Sequence, residues 1–194
     1  MNEIIFSSMS YIESNIKLDI SKITNNDQVE KVIIKYYSIN NDLIERLNSC
    51  KKLTQVWFIG CEINENIILK DVLYLKIDRC KIINHNLFCS NLKKLEISNM
   101  EEININDINH LNLNYLKIDN TIVYNIKNIE NLKELEYLYL QEININEKID
   151  LNQFFKIKLI NFDGSKTSNL VDYINTCKSK NIKFSFKKSN LKVS

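Results

Sequence analysis

Seven times along this chain, apolar residues recur in one eleven-residue frame, at positions 1, 4, 6 and 11. The first copy reads Val29, Val32, Ile34 and Ile39; the second Leu53, Val56, Phe58 and Ile63; the third Val72, Leu75, Ile77 and Ile82. The fourth has Leu92, Leu95 and Ile97 but slips at its end, with Glu102 in place and Ile103 beside it. Leu113, Leu116, Ile118 and Val123 follow, then Leu135, Leu138, Leu140 and Ile145, and the seventh copy, Ile157, Ile160 and Phe162, closes on Thr167. A degenerate eighth is visible at Phe184, Phe186 and Leu191. From Val32 through Val56, Leu75, Leu95, Leu116, Leu138 and Ile160 the steps are 24, 19, 20, 21, 22 and 22 residues.

Positions 4 and 6 alternate with mostly polar neighbours, the period-2 pattern of a short strand with one buried face. A single unit of strand plus return cannot bury its own apolar row. The units must therefore stack, with strands side by side and parallel and the rows at positions 4 and 6 filling the interior. The reading is an α/β solenoid of about seven or eight rungs. Steps of 19 to 22 residues leave little room for full helices on the return, where 3-10 turns or extended segments are expected. Only the longer first step offers a helix, over residues 41–50, with Leu43, Ile44 and Leu47 at helical spacing.

The frame resembles the leucine-rich-repeat family, whose pattern L-x-x-L-x-L-x-x-N/C-x-L and period of 20 to 29 residues match positions 1, 4, 6, 9 and 11. The copy at Leu132, Leu135, Leu138 and Leu140 looks like the short repeats of internalins and phosphatase-regulator proteins. The resemblance covers roughly residues 29–167 and implies a parallel concave sheet used to bind a protein partner. One departure concerns position 9, where the family places an asparagine and this chain has Tyr37, Cys61, Cys80, Met100, Thr121, Ile143 and Ser165. With no asparagine ladder, looser and less uniform turns are expected after several strands.

Residues 168–194 read as a C-terminal cap with a lysine-rich tail. Leu170, Val171, Ile174 and Cys177 have helical spacing, Ser168 is placed to cap that helix, and residues 182–186 alternate like a strand. Residues 1–28 read as an N-terminal cap or an irregular first repeat, with alternating runs at 4–6 and 16–20. They are too short and too polar to claim an F-box-like segment. The pentapeptide Glu-Ile-Asn-Ile-Asn, at 102–106 and again at 142–146, lies out of register with the frame and reflects composition.

Composition narrows the function. With 26 basic against 24 acidic side chains there is no strong field to steer the chain onto nucleic acid or anionic lipid. No apolar run reaches the roughly 18 residues of a membrane span, and the first residues do not read as a secretory signal. Five cysteines, Cys50, Cys61, Cys80, Cys89 and Cys177, are an odd number without C-x-x-C spacing, which favours reduced thiols and a cytoplasmic setting. Cys61 and Cys80 fall at one position on consecutive rungs, within bridging range, and are read as buried thiols. The abundance of Asn, Ile and Lys, with no alanine or proline and two glycines, looks like the leucine-rich-repeat families of insect poxviruses or of AT-rich protists.

Catalytic chemistry finds little support. Cys80, His85 and Cys89 have no fourth ligand at recognisable spacing, so no metal is expected. His85 and His110 have no evident nucleophile or carboxylate partner, and Asp78 and Asp119, two rungs apart, are too far to share a proton. No catalytic residue, cofactor or small-molecule substrate is proposed from the sequence. The outward strand positions say more. Position 3 reads Lys31, Gln55, Tyr74, Lys94, Tyr115, Tyr137 and Leu159; position 5 reads Ile33, Trp57, Lys76, Glu96, Lys117, Tyr139 and Asn161. Trp57, Tyr74, Lys76, Tyr115, Lys117, Tyr137 and Tyr139 form the candidate partner-binding face, because aromatic side chains supply large contact area at low entropic cost. The competing reading is structural: Trp57 stacks on Lys76, and Lys76, Glu96 and Lys117 pair across strands.

A second surface is basic. Lys178, Lys180, Lys183, Lys187, Lys188 and Lys192 interleave with Phe184 and Phe186 and would suit nucleic acid or an anionic membrane. Lysines also protect a terminal strand against edge-to-edge pairing. The sequence thus reads as a monomeric, non-enzymatic protein-interaction module, an adaptor or scaffold, with the basic end as the alternative site.

Overall fold

The computed structural model describes residues 3–7, 28–82 and 87–187. Nine main strands succeed one another in chain order, each parallel to its neighbour where the register is defined: β1 (Glu3–Ser7), β2 (Lys31–Lys35), β3 (Gln55–Ile59), β4 (Tyr74–Asp78), β5 (Lys94–Ser98), β6 (Tyr115–Asp119), β7 (Tyr137–Gln141), β8 (Leu159–Asn161) and β9 (Lys183–Ser185). Contacts divide the chain into two compact units, residues 1–93 and residues 94–194.

In the first unit the register sets Ile4 beside Val32, Val32 beside Val56, and Val56 beside Leu75, so position 4 forms one continuous row. Position 6 forms a second, through Ile34, Phe58 and Ile77. None of these position-4 and position-6 side chains of β2–β4 is more than 2% exposed, and each contributes about 1.5–3 kcal/mol by leaving water. The long first step is helical: α1 spans Asn41–Ser49 and buries Leu43, Ile44 and Leu47. The Asn40 side chain accepts the Leu43 N–H at 3.0 Å, closing its first turn. Elsewhere the return is extended, with Ser38–Ile39, Glu62–Ile63 and Lys81–Ile82 forming a second small parallel sheet.

In the second unit β5–β9 carry the same two rows, through Leu95, Leu116, Leu138, Ile160 and Phe184 at position 4. The returns contain the 3-10 turns Ile105–Asp107, Ile126–Asn131 and Leu151–Gln153. Ile103 pairs with Val123, so the slip in the fourth copy is one extra residue between β5 and its return. The second helix, α2, spans Leu170–Ser179 and buries Tyr173 and Cys177. Its end is a Schellman turn: Asn181 adopts the left-handed conformation, its N–H donates to the Lys178 carbonyl and that of Ile182 to the Cys177 carbonyl. Two details differ from expectation. Asn169, not Ser168, stands at the N-terminus of α2. Val171 is 69% exposed, because the buried side of the helix is set by Tyr173, whose ring packs edge-on against Phe162 and whose hydroxyl accepts the Ile149 N–H at 3.1 Å.

The turns are not irregular. Position 8, in the turn that follows each strand of the repeat, is left-handed in all seven copies: Tyr36, Gly60, Arg79, Asn99, Asn120, Glu142 and Gly164. Position 9 then replaces the missing asparagines by a different device. The backbone N–H of Cys61 donates to the Cys80 sulfur at 3.3 Å, that of Met100 to the Thr121 hydroxyl at 3.2 Å, and that of Ile143 to the Ser165 hydroxyl at 3.2 Å. Each acceptor in turn donates to a strand carbonyl: Cys80 to Asp78, Thr121 to Asp119, Ser165 to Leu140. Met100 and Ile143 are accommodated because the next rung supplies the polar atom.

The second run of the N-terminal segment, residues 16–20, lies outside the described residues, as do His85, Lys188, Leu191 and Lys192. No described helix is long and apolar enough to cross a membrane.

Candidate functional site

The period-2 geometry of a strand sends positions 3, 5 and 7 to the face opposite the core. In the first unit this face is built around Trp57 on β3. The Lys31 ammonium lies 3.7 Å from the centre of the tryptophan ring and that of Lys76 at 5.2 Å, while Tyr74 meets it edge-on at 5.9 Å. Lys31 also reaches the Glu3 carboxylate at 2.8 Å. The indole Nε1 is buried without a hydrogen-bond partner among the described residues. Lys31 and Ile33, outward in the sequence reading, are closed off at 9% and 5% exposed, and so is Asp78 at position 7, at 8%. Ile33 is flanked in register by Ile5 and Trp57, and the Asp78 carboxylate is engaged by Arg79 at 3.1 Å.

In the second unit the face centres on Tyr115 of β6. Its ring stands 5.2 Å from Tyr139 and 6.4 Å from Tyr137, with the Lys94 ammonium 4.5 Å from its centre. Lys158, held by Glu136, approaches Tyr137 at 5.9 Å. Burial raises the Tyr115 phenol above its ordinary range, with the Glu96 carboxylate and Tyr139 adding to it, so this hydroxyl stays protonated as a donor. The charges pair differently from expectation. Glu96 and Lys117 are register neighbours, yet Glu96 binds Lys94 at 2.9 Å and Lys117 binds Asp119 at 3.1 Å, each two residues away on its own strand.

Each unit thus holds part of the proposed set: Trp57, Tyr74 and Lys76 in the first, Tyr115, Lys117, Tyr137 and Tyr139 in the second. All seven side chains are half-buried except the exposed Tyr137. The arrangement offers π faces and ammonium groups held by their neighbours, suited to contact and not to proton transfer.

All five cysteines are free and buried. Cys80 sits in the turn ladder, where its hydrogen bond with the Cys61 thiol, and then burial, hold its own thiol well above the ordinary range. Burial pushes Cys89 up to about 11. Among the described residues no three His, Cys, Asp or Glu side chains gather to hold a metal ion. In the basic segment, Lys178, Lys180, Lys183 and Lys187 are exposed; Lys180 donates to the Leu151 carbonyl at 3.4 Å. Phe184 is half-buried and packs edge-on against Phe162, at 5.7 Å.

A feature missed in the sequence is the left-handed column after the strands. Its signal was present: the only two glycines of the chain, Gly60 and Gly164, both occupy position 8, with Asn99 and Asn120 at the same place.

The fold is that of a leucine-rich-repeat-like solenoid, with a parallel sheet and few helices. Among solved structures it is similar to an internalin, InlF, from Listeria monocytogenes, with a TM-score of 0.58 and 15% identity over 88% of this chain. The chain spans 58% of the internalin's length. A Bacteroides fragilis protein is matched over 96% of this chain and 74% of its own, at a TM-score of 0.45 and 14% identity. No family model matches the sequence. No curated protein matches it either.

Proposed function

We propose that this chain is a non-enzymatic protein-interaction module that binds a protein partner on its sheet face. The observation that carries the reading is the aromatic and lysine cluster at Tyr115, Tyr137, Tyr139 and Lys94, mounted on short strands whose opposite face is the apolar core. Aromatic groups already ordered by their neighbours lose little entropy on contact, which is the property of interface anchors. The internalin-like fold supports the same reading. We further infer an adaptor or scaffold role in the cytoplasm, with the five buried free thiols supporting a reducing compartment, and directed at a host if the chain is viral.

Affinity capture from source or host cell extract, with quantitative mass spectrometry, tests this. Wild type is compared with a Trp57→Ala/Tyr139→Ala variant whose circular dichroism matches it. Partners captured by wild type and lost by the variant are expected. Equal capture by both overturns the sheet face as the working surface. A variant with Lys183 and Lys187 changed to Gln is expected to capture the same partners as wild type; losses confined to it move function to the basic end.

A further inference from the structure

A groove of about 720 Å³ opens in the second unit, along the turns that follow the strands. It is separate from the sheet face above, being lined by residues of positions 8 to 12. One wall is the short strand Ile122–Tyr124, the other Ile143, Asn144 and Asn146 of the next copy. Ile122–Tyr124 pairs with Glu102–Asn104, and Asn144–Ile145 pairs with Lys166–Thr167, but these are two separate two-stranded sheets. The ladder of the returns is therefore interrupted at the groove, leaving one edge of each strand without a ladder partner among the described residues.

The lining combines apolar and acidic character. Ile122 and Tyr124 are 58% and 50% exposed, unusual values in a unit whose other isoleucines are mostly buried. Glu101 and Glu142 are its carboxylates; neither meets a cation among the described residues, and no lysine, arginine or histidine lines the groove. The sheet face, by contrast, carries lysines around its aromatic rings.

We propose that this groove binds a basic, extended peptide segment of a partner protein. An apolar side chain of the segment rests on Ile122 and Tyr124, and two Lys or Arg side chains meet Glu101 and Glu142. The two carboxylates belong to copies two rungs apart and are offset by two frame positions, roughly 10–12 Å by strand spacing and chain rise, a distance an extended chain covers in about three to four residues. The recognised pattern is therefore basic-apolar-x-basic. A cation near Tyr124 gains further from its ring.

Fluorescence anisotropy at low salt tests the site, using a dye-labelled, capped Gly-Lys-Leu-Gly-Lys-Gly peptide and the full chain. Saturable binding is expected, weakened tenfold or more by Glu101→Gln/Glu142→Gln, which removes charge and keeps shape, and weakened also by Tyr124→Ala. These positions are exposed, and circular dichroism checks that each variant is folded. The same peptide with glutamates for lysines is expected not to bind. Tyr137→Ala/Tyr139→Ala is expected to leave peptide affinity unchanged. No saturable binding up to millimolar peptide, affinity unchanged in the double glutamine variant, or an equal loss in Tyr137→Ala/Tyr139→Ala overturns the proposal.

Discussion

The Lys31 ammonium lies 3.7 Å from the centre of the Trp57 ring on the neighbouring strand, while its other contact is the Glu3 carboxylate. A lysine at an outward strand position is thereby only 9% exposed, held between a π face and a carboxylate. Such a desolvated cation–π contact contributes on the order of 1–2 kcal/mol. Lys31→Met keeps the stem and removes the charge, so urea unfolding should show a loss of about that size, with a change in the Trp57 emission. An unchanged midpoint and an unchanged spectrum would show that the contact stabilises nothing.

The left-handed column makes opposite predictions at two of its members. Glu142 adopts a conformation that costs a residue with a Cβ roughly 1 kcal/mol. Glu142→Gly should raise stability by up to about that amount. At Gly60 a methyl group would stand 2.5 Å from the Tyr36 ring as well as being strained, so Gly60→Ala should destabilise by more than 1 kcal/mol. Adding Tyr36→Ala should recover part of that loss. Thermal melts of the four proteins decide the matter.

Thr121 satisfies the Met100 N–H and the Asp119 carbonyl together. Thr121→Val conserves shape and takes the hydroxyl acceptor from the buried Met100 N–H, while the Asp119 carbonyl keeps the Asn99 N–H at 3.0 Å, at a cost of about 1–3 kcal/mol. Thr121→Ser, which keeps the hydroxyl, should cost much less. Equal losses for valine and serine, measured by chemical denaturation, would mean that the methyl group and not the hydrogen bonds matters here.

The buried thiols set a pH dependence. Burial raises Cys89 and Cys177 to about 11 from the ordinary 9.0. Below pH 9 both are protonated folded or unfolded, and stability is unaffected. Between pH 9 and about 11 the unfolded chain loses these protons while the folded chain keeps them, so stability falls as pH rises. Unfolding midpoints at pH 7, 9 and 10.5 should show this fall, and Cys89→Ala/Cys177→Ala should reduce it, leaving the part that Cys80 and Tyr115, raised likewise, contribute. In the same samples Ellman's reagent should titrate five thiols after denaturation and close to none in the native protein at pH 8.

The apolar frame by itself determined strands β2–β9, their parallel order, the buried rows at positions 4 and 6, helix α1 with its three buried residues, and the slip at Glu102 and Ile103. These are local or periodic properties: burial at a period of two leaves little choice of face, and stacking is the one way such units bury it. Tertiary structure alone decided matters that depend on what stands on the adjacent rung. Ile33 and Asp78 point outward yet are enclosed, because register sets Ile5 and Trp57 beside the one and the turn brings Arg79 to the other. Glu96 chose Lys94 over its cross-strand neighbour Lys117. Ile143 and Met100 were tolerated in the turns because Ser165 and Thr121 one rung later supply the acceptor. The groove beside Tyr124 follows from an interrupted ladder, and no frame position records where two returns cease to pair.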